Sequence, residues 1–162
     1  MAVPRRRADL RTPTRPVRHA VGVTLLPASD CSLVVRITGV DDDAWSRLIA
    51  VLGKESRDGF RAYVEFVDDP IWFGASPDLL RNSIPPHPEE AAVLFIADDV
   101  TLSAPDFPIV VVDLVEQRPE FRCIASELWA VENNLNIANM DWEEFADATD
   151  QHDVYRGIPD ER

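Results

Sequence analysis

The chain has 162 residues and is 46% hydrophobic and 28% charged, which fits one globular domain large enough to bury a core. No apolar run approaches the roughly 20 residues that span a bilayer, and two cysteines are too few for a disulfide framework or a zinc site. We therefore expect a cytoplasmic protein with no membrane association, no metal and no cofactor.

The net charge of −13 is unevenly distributed, because residues 1–22 carry six arginines and one acid. This tail is therefore +5, and subtracting it from −13 leaves −18 on residues 23–162. The tail is too poor in apolar side chains to fold, so we predict disorder there and a single globular domain over residues 23–162. It is either a solvated extension (or the product of an upstream start codon) or an arm that touches nucleic acid or folds back on the acidic body. The body repels phosphate backbones, so nucleic acid is not an expected partner except through the tail.

The first regular segments predict a strand, a helix and a second strand. Residues 32–38, SLVVRIT, are apolar and β-branched and predict a buried strand. In DDDAWSRLIAVLGK the apolar residues recur at helical spacing, with Asp41 or Asp42 as N-cap and Gly53 at the end. The next strand, FRAYVEFVD, alternates between two faces. A helical crossover makes these two strands parallel if they pair.

The later segments follow a different pattern. A short helix is predicted around residues 78–83, followed by strands in AVLFIAD, PIVVVDLV and EFRCIA. Their links, DVTLSAPDF and EQRP, are short and contain no predicted helix, which favours antiparallel pairing. Helices then begin near Ser126 and Asp141. The prediction is an α+β (mixed α/β) domain with one sheet of about five strands, a β-α-β start, antiparallel later strands and C-terminal helices packed on the sheet.

Acidic residues follow four of the predicted strands: Asp41, Asp42 and Asp43; Asp68 and Asp69; Asp98 and Asp99; Asp113 and Glu116. Carboxylates that converge at strand ends can hold Mg²⁺, so a carboxylate- and Mg-dependent enzyme acting on a phosphorylated small molecule is the alternative function. Antiparallel later strands would send these acids to opposite edges of the sheet, however, and no GxxxxGK[ST] phosphate loop is present. Acids at strand ends also cap helices and start turns. We therefore assign no metal ligand.

No residue stands in the pattern of a catalytic nucleophile or base. The three histidines, His19, His87 and His152, have no recognisable catalytic context, and GxSxG does not occur. We therefore name no catalytic residue, and the sequence gives enzyme activity no support.

The densest stretch is AVENNLNIANMDWEEFADA, residues 130–148. Within it, Asp141 and Glu144 have the spacing of a capping box, and Met140 and Phe145 that of a hydrophobic staple. MDWEEF therefore predicts the start of a helix.

The asparagines before that helix, Asn133, Asn134, Asn136 and Asn139, are unfavourable inside a helix because their amides compete for backbone hydrogen bonds. One interpretation is that the amides hold an irregular connector whose apolar residues, Leu135, Ile137 and Met140, point inward. The other is a recognition surface, in which the amides read a peptide backbone or a base edge and Glu132 supplies charge. We take Glu132 and the four asparagines as candidate binding residues.

Two adjacent aromatic residues in DDPIWFGASP, Trp72 and Phe73, form a second candidate site. Neighbouring large side chains in a loop do not readily face one core, so one is expected to be exposed as an interface anchor unless both pack under the loop. We add Trp72 to the candidate binding residues.

These segments resemble an uncharacterised domain family common in actinobacteria. The resemblance rests on DGFRAYVEFVDDP, on LFIADDV followed by PIVVVDL, and above all on ELWAVENNLNIANMDWEEFADA followed by VYRG. It covers roughly residues 25–157 and leaves out the arginine-rich tail. The resemblance implies a bacterial cytoplasmic protein and brings with it no established activity, substrate or catalytic residue.

The leading hypothesis is a non-enzymatic module that binds another protein. The acidic charge of residues 23–162 suits a basic partner. Small acidic bacterial proteins of this kind include immunity proteins, which neutralise toxins with carboxylates that mimic phosphates; this is an analogy of function.

Overall fold

The computed structural model describes residues 22–87 and 90–159, so the predicted disordered tail lies outside the described residues apart from Gly22. Within this part of the chain, six strands form one sheet: β1 Ser32–Arg36, β2 Val64–Val67, β3 Val93–Ala97, β4 Pro108–Asp113, β5 Phe121–Ile124 and β6 Val154–Tyr155. The α-helices are α1 Asp42–Leu52, α2 Pro77–Asn82, α3 Asp99–Ser103, α4 Leu128–Asn136 and α5 Trp142–Ala146. None of these helices is long and apolar enough to cross a membrane.

The strand order is β2-β1-β3-β4-β5-β6. β1 runs parallel to both β2 and β3, β4 is antiparallel to both of its neighbours, and β6 is parallel to β5. Five strands therefore share one direction and β4 alone is reversed. The predicted mixed α/β class, the β-α-β start and the antiparallel pairing of β3, β4 and β5 are confirmed. The additional strand, β6, has two residues, which is too short for an alternation pattern.

Both faces of the sheet are covered, because successive strand residues point to opposite sides. Val34 and Phe95 face a core that also contains apolar residues of α1, α4 and α5. The predicted packing of the C-terminal helices on the sheet is thereby confirmed. Val35 and Ile96 face a second core, which is closed by Leu26 and by residues of and around α2.

Side-chain caps explain where two helices begin. The Asp41 carboxylate accepts the N–H of Ala44 at 2.8 Å, and Asp41 adopts a left-handed conformation that aspartate tolerates. At the start of α5, the Glu144 carboxylate accepts the N–H of Asp141 at 2.6 Å, which completes the predicted capping box. Both predicted helix starts are confirmed.

One local prediction is wrong and one is confirmed. The DVTLSAPDF link contains α3, a five-residue helix with a capping box between Asp98 and Thr101, and so short a helix shows no apolar periodicity. The helix predicted to begin near Ser126 is confirmed, because a 3₁₀ turn, Ala125–Glu127, leads directly into α4.

Candidate functional site

The acidic residues that follow the parallel strands share one edge of the sheet, which we call the carboxyl edge. Their positions are Asp41, Asp42, Asp43, Asp68, Asp69, Asp98 and Asp99. They lie side by side because β2, β1 and β3 are parallel neighbours. The expected separation to opposite edges holds only for the acids after the reversed strand β4, Asp113 and Glu116.

Arg36, the last residue of β1, organises the carboxyl edge. Its side chain is only 4% exposed, and its Nε donates to the carbonyl of Thr38 at 2.7 Å. Its Nη2 donates to Asp42 Oδ1 at 2.6 Å, and its Nη1 donates to Asp68 Oδ1 at 3.3 Å. A buried guanidinium is thus bound by two carboxylates that are themselves 87% and 44% exposed.

Two aromatic rings flank the same guanidinium. The Cζ atom of Arg36 lies 5.7 Å from the ring centroid of Trp45 and 5.7 Å from that of Phe73, within the range of cation–π attraction. The sequence reasoning missed Arg36, although one signal was present. It is the only charged residue within the apolar segment SLVVRIT, and a charge in a buried strand requires partners.

Exposed apolar side chains stand beside these carboxylates. Val40 is 55% exposed, Ile71 58% and Phe73 38%. The Phe73 ring lies against Gly39, where an added Cβ would come within 2.9 Å of Phe73 Cε2, so a side chain at Gly39 would displace the ring. We call the exposed residues of this region the edge surface: Val40, Asp42, Asp43, Asp68, Asp69, Ile71 and Phe73.

Asp98, at the end of β3, is bound by groups of the chain itself. Arg122 of β5 donates to its two oxygens at 2.9 and 2.7 Å, and the N–H of Thr101 donates at 3.0 Å. Partial burial opposes ionisation, but these hydrogen bonds outweigh it and hold the pKa of Asp98 below its ordinary value. Asp98 therefore serves as a structural cap.

Asp113 closes a turn at the opposite edge of the sheet. It is 2% exposed and accepts the N–H groups of Val115 at 2.9 Å and Arg118 at 3.1 Å. This carboxylate is far from the carboxyl edge because β4 is the reversed strand.

Within residues 22–87 and 90–159, no group of three His, Cys, Asp or Glu side chains is placed to hold a metal ion. The metal-dependent alternative requires at least three strand-end acids within ligand distance, so this part of the chain gives it no support. Three of the acids are engaged by arginines instead: Asp42 and Asp68 bind Arg36, and Asp98 binds Arg122.

Trp72 is buried, with 5% of its surface exposed, and packs in the second core. It belongs to a 3₁₀ turn, Pro70–Trp72, that directs its ring inward, whereas Phe73 follows the turn and stays at the surface. The expectation of one exposed aromatic residue is met by Phe73. Trp72 is therefore corrected from a surface contact to a core residue beneath the edge surface.

Glu132 is a buried carboxylate, 5% exposed, in helix α4. Its Oε2 accepts the N–H of Tyr63 at 3.1 Å and Nδ2 of Asn133 at 2.8 Å, and its Oε1 accepts Nδ2 of Asn136 at 2.9 Å. All three donors are neutral. Burial raises the pKa of Glu132 above its ordinary value, against the opposing effect of the hydrogen bonds from Tyr63 and Asn136.

The same network ties α4 to the amino-terminal ends of the strands. Nδ2 of Asn136 donates to Ser32 Oγ at 2.9 Å, and its Oδ1 accepts the N–H of Ala92 at 2.9 Å. Nδ2 of Asn133 also donates to the carbonyl of Arg61 at 3.1 Å. We call this network the amide seam: Ser32, Arg61, Tyr63, Ala92, Glu132, Asn133 and Asn136.

The other two asparagines close the end of α4. Nδ2 of Asn134 donates to the carbonyl of Ala130 at 2.7 Å, and Nδ2 of Asn139 donates to Asn134 Oδ1 at 2.8 Å. The predicted irregular connector is confirmed only in part. Residues 137–140 are irregular, and Leu135 and Met140 pack against the core. However, α4 is regular through Asn136, and Ile137 points outward at 72% exposure. All four amide nitrogens donate to other groups of the chain, and the binding role of Glu132 and these asparagines stays a prediction.

A cleft of about 320 Å³ lies at the opposite edge of the sheet, between the segment before β1 and the loop after α2. Cys31 lines it, and burial together with the charges of Glu65, Glu132 and Asp30 raises the pKa of the thiol, which disfavours the thiolate. Arg81 also lines it, but its Nε donates to the carbonyl of Asp113 at 3.1 Å. No local pattern predicts this cleft, because its walls come from separate segments.

Comparison with known proteins identifies a family. A search of the curated proteins gives no match. A family model described as "Domain of unknown function (DUF6924)" matches residues 31–158, which include the edge surface and the amide seam. This match confirms the expected resemblance to an uncharacterised domain family, while the actinobacterial origin stays a prediction. The chain belongs to the DUF6924 family.

Proposed function

We propose that this protein is a non-enzymatic module that binds a basic protein through its edge surface. The observation that carries the proposal is the placement of three exposed apolar side chains, Val40, Ile71 and Phe73, among exposed carboxylates. Protein interfaces combine apolar anchors with a polar rim, and complementary charge accelerates the encounter. A cytoplasmic location and an immunity-like role, in which a basic toxin is neutralised, belong to the same proposal.

The charge of the edge surface supports a basic partner. Four exposed aspartates stand against one guanidinium, that of Arg36, so the surface is net negative. Asp43 makes no ion pair within the described part of the chain and presents its full charge to solvent. An arginine- or lysine-rich surface therefore meets a complementary potential here.

Arg36 also supports the proposal by fixing the surface in advance. It holds Asp42 and Asp68 by hydrogen bonds and lies against the ring of Phe73. Side chains held in place before binding lose less conformational entropy when a partner docks. The buried Trp72 supports the same loop from below.

The test is capture of partners by the tagged full chain from the cells that produce it, at low salt, followed by mass spectrometry. The double variant I71A/D43K removes one apolar anchor and reverses one charge on the edge surface, without removing any hydrogen bond or ion pair that the structure shows for these side chains. We expect it to lose a basic partner that the unmodified chain retains. A rise in salt should release the same partner.

The matched control is I137A/D147K, which makes the same chemical changes at the ends of α4 and α5, next to the asparagines. We expect this variant to retain the partner. Loss of the partner in the control alone would place the interface near Asn133, Asn134, Asn136 and Asn139. Equal recovery with all three proteins, or recovery of acidic partners only, would refute the proposal.

A further inference from the structure

The described residues include nine arginines and lysines, and their ion pairing is uneven. Five of them form ion pairs with acids: Arg36, Arg81, Arg118, Arg122 and Arg156. The other four, Arg47, Lys54, Arg57 and Arg61, form none within the described part of the chain, and all lie between residues 47 and 61. Residues 47–61 contain only two acids, Glu55 and Asp58, so this segment is net positive in a protein with a large excess of acids.

Two of these unpaired cations line a groove between α1 and α3. The groove has a volume of about 640 Å³, with Arg47 and Lys54 on the α1 wall and Ser103 and Pro105 on the opposite wall. It adjoins the edge surface, because Val40 belongs to both and Asp43 lies one helical turn before Arg47 on α1. We call it the α1–α3 groove.

The floor of the groove is apolar and firmly packed. Leu102 and Phe107 contribute to it, and they are only 4% and 6% exposed. Phe107 adopts a left-handed conformation, and its N–H donates to the carbonyl of Ala104 at 3.2 Å, which fixes the second wall. The one acid of the groove, Asp41, has its carboxylate engaged in capping α1.

We propose that the α1–α3 groove is a second docking site, which binds an extended acidic peptide segment of a partner protein. Arg47 and Lys54 are seven residues apart on α1, which is about 10 Å along the helix axis. When both side chains extend straight out from the helix, their charged groups stay about that far apart and match two anionic groups better than one. Because the floor is apolar, the ligand must also carry an apolar side chain.

An extended peptide can present two acidic side chains and one apolar side chain at the distances that the groove requires. Residues i, i+2 and i+4 of a strand point to the same side, and i and i+4 are about 13 Å apart. Acidic side chains at i and i+4 reach the flexible Arg47 and Lys54, and an apolar side chain at i+2 then points to the floor. The motif is therefore acid-x-apolar-x-acid, which a polyanion such as nucleic acid does not supply.

The experiment is a titration of the ¹⁵N-labelled full chain with the blocked peptide Glu-Ser-Leu-Ser-Glu, followed by NMR. We expect saturable chemical-shift changes for the backbone amide resonances of Ala50, Val51, Ser103 and Ala104. The variant R47E/K54E should weaken binding at least tenfold. The matched control R57E/R61E makes the same charge change with the other two unpaired cations, outside the groove, and should weaken binding less than twofold.

Two further probes test the chemistry of the ligand. The peptide Lys-Ser-Leu-Ser-Lys and inorganic phosphate should produce no saturable shifts in the groove. The proposal is overturned if the acidic peptide produces none either, if both double variants weaken binding equally, or if either probe binds as well as the acidic peptide. None of these outcomes depends on the partner of the edge surface, so the two proposals stand or fall separately.

Discussion

Arg36 and Glu132 are both buried charged side chains, and their surroundings are opposite. Arg36 binds two carboxylates that remain exposed to solvent, so its charge is compensated at the surface. Glu132 accepts hydrogen bonds from neutral donors only, so its charge is solvated but not compensated. The charge of the carboxyl edge therefore stays exposed to solvent, whereas the amide seam encloses its charge where it joins α4 to the sheet.

The most severe way to break the carboxyl edge is to remove its buried cation. Arg36→Ala should lower the free energy of unfolding by about 3 kcal/mol, because it leaves a cavity between Trp45 and Phe73. Urea unfolding followed by tryptophan fluorescence measures the loss. Arg36→Met, which refills most of the volume, should recover part of it. A loss below about 1 kcal/mol for the alanine variant would contradict the tight packing described for this side chain.

Removing the central carboxylate of the amide seam should destabilise the protein less than removing Arg36. Glu132→Ala removes the acceptor of three hydrogen bonds, and part of that cost is offset by water reaching the half-exposed amides, so we expect a loss of about 2 kcal/mol. Glu132→Gln has nearly the same shape and should lose less. Equal stability of the alanine variant and the unmodified chain in urea unfolding would mean that the seam contributes nothing to the fold.

Replacing an exposed acid should have almost no effect on the fold. Asp42→Asn keeps an oxygen that can accept from Arg36, and Asp42 is 87% exposed, so we expect a loss of about 0.5 kcal/mol or less. Thermal unfolding of both variants tests whether Asp42→Asn loses less stability than Arg36→Ala. A loss as large as that of the arginine variant would show that the ion pair, and not the packing of Arg36, stabilises the edge.

The finest distinction between the two regions is their response to pH. Burial raises the pKa of Glu132 in the folded state, so its contribution to stability is fully present below the unfolded pKa and is lost as pH rises through the folded pKa. On acidification from neutral pH, the unmodified chain should therefore gain stability relative to Glu132→Gln. Unfolding curves of both proteins over this range measure the difference in their stability. A difference that does not change with pH, or that changes in the opposite direction, would contradict the raised pKa of Glu132.

Much of the fold could be predicted because it rests on local patterns. The helical spacing in residues 41–53 and the capping box at Asp141 and Glu144 each lie within a few consecutive residues. α3 and β6 were missed because each is too short for one period of its pattern to repeat. The parallel pairing of β1 with β3, which brings the acids together, depends on strands far apart in sequence, and no local signal specifies it.

The candidate site was less predictable for related reasons. Sequence reasoning identified the loop of Trp72 and Phe73 but not which ring is exposed, because that is decided by the 3₁₀ turn at residues 70–72. It identified the asparagines as a cluster but not their acceptors, which include Ser32 and the carbonyl of Arg61 on other segments. A side chain can be recognised as unusual from the sequence, whereas its partner is found only through the fold.

The single reversed strand also bears on how the chain folds. β4 pairs with β3 and β5 through short links, so these contacts close small loops, whereas the parallel pairings of β1 and of β6 must wait for intervening helices. Closing long loops costs more entropy and slows folding. We therefore expect β3, β4 and β5 to form the earliest folding unit and the two-residue β6 to join last. In the native state, β6 should exchange its amide hydrogens faster than the central strands.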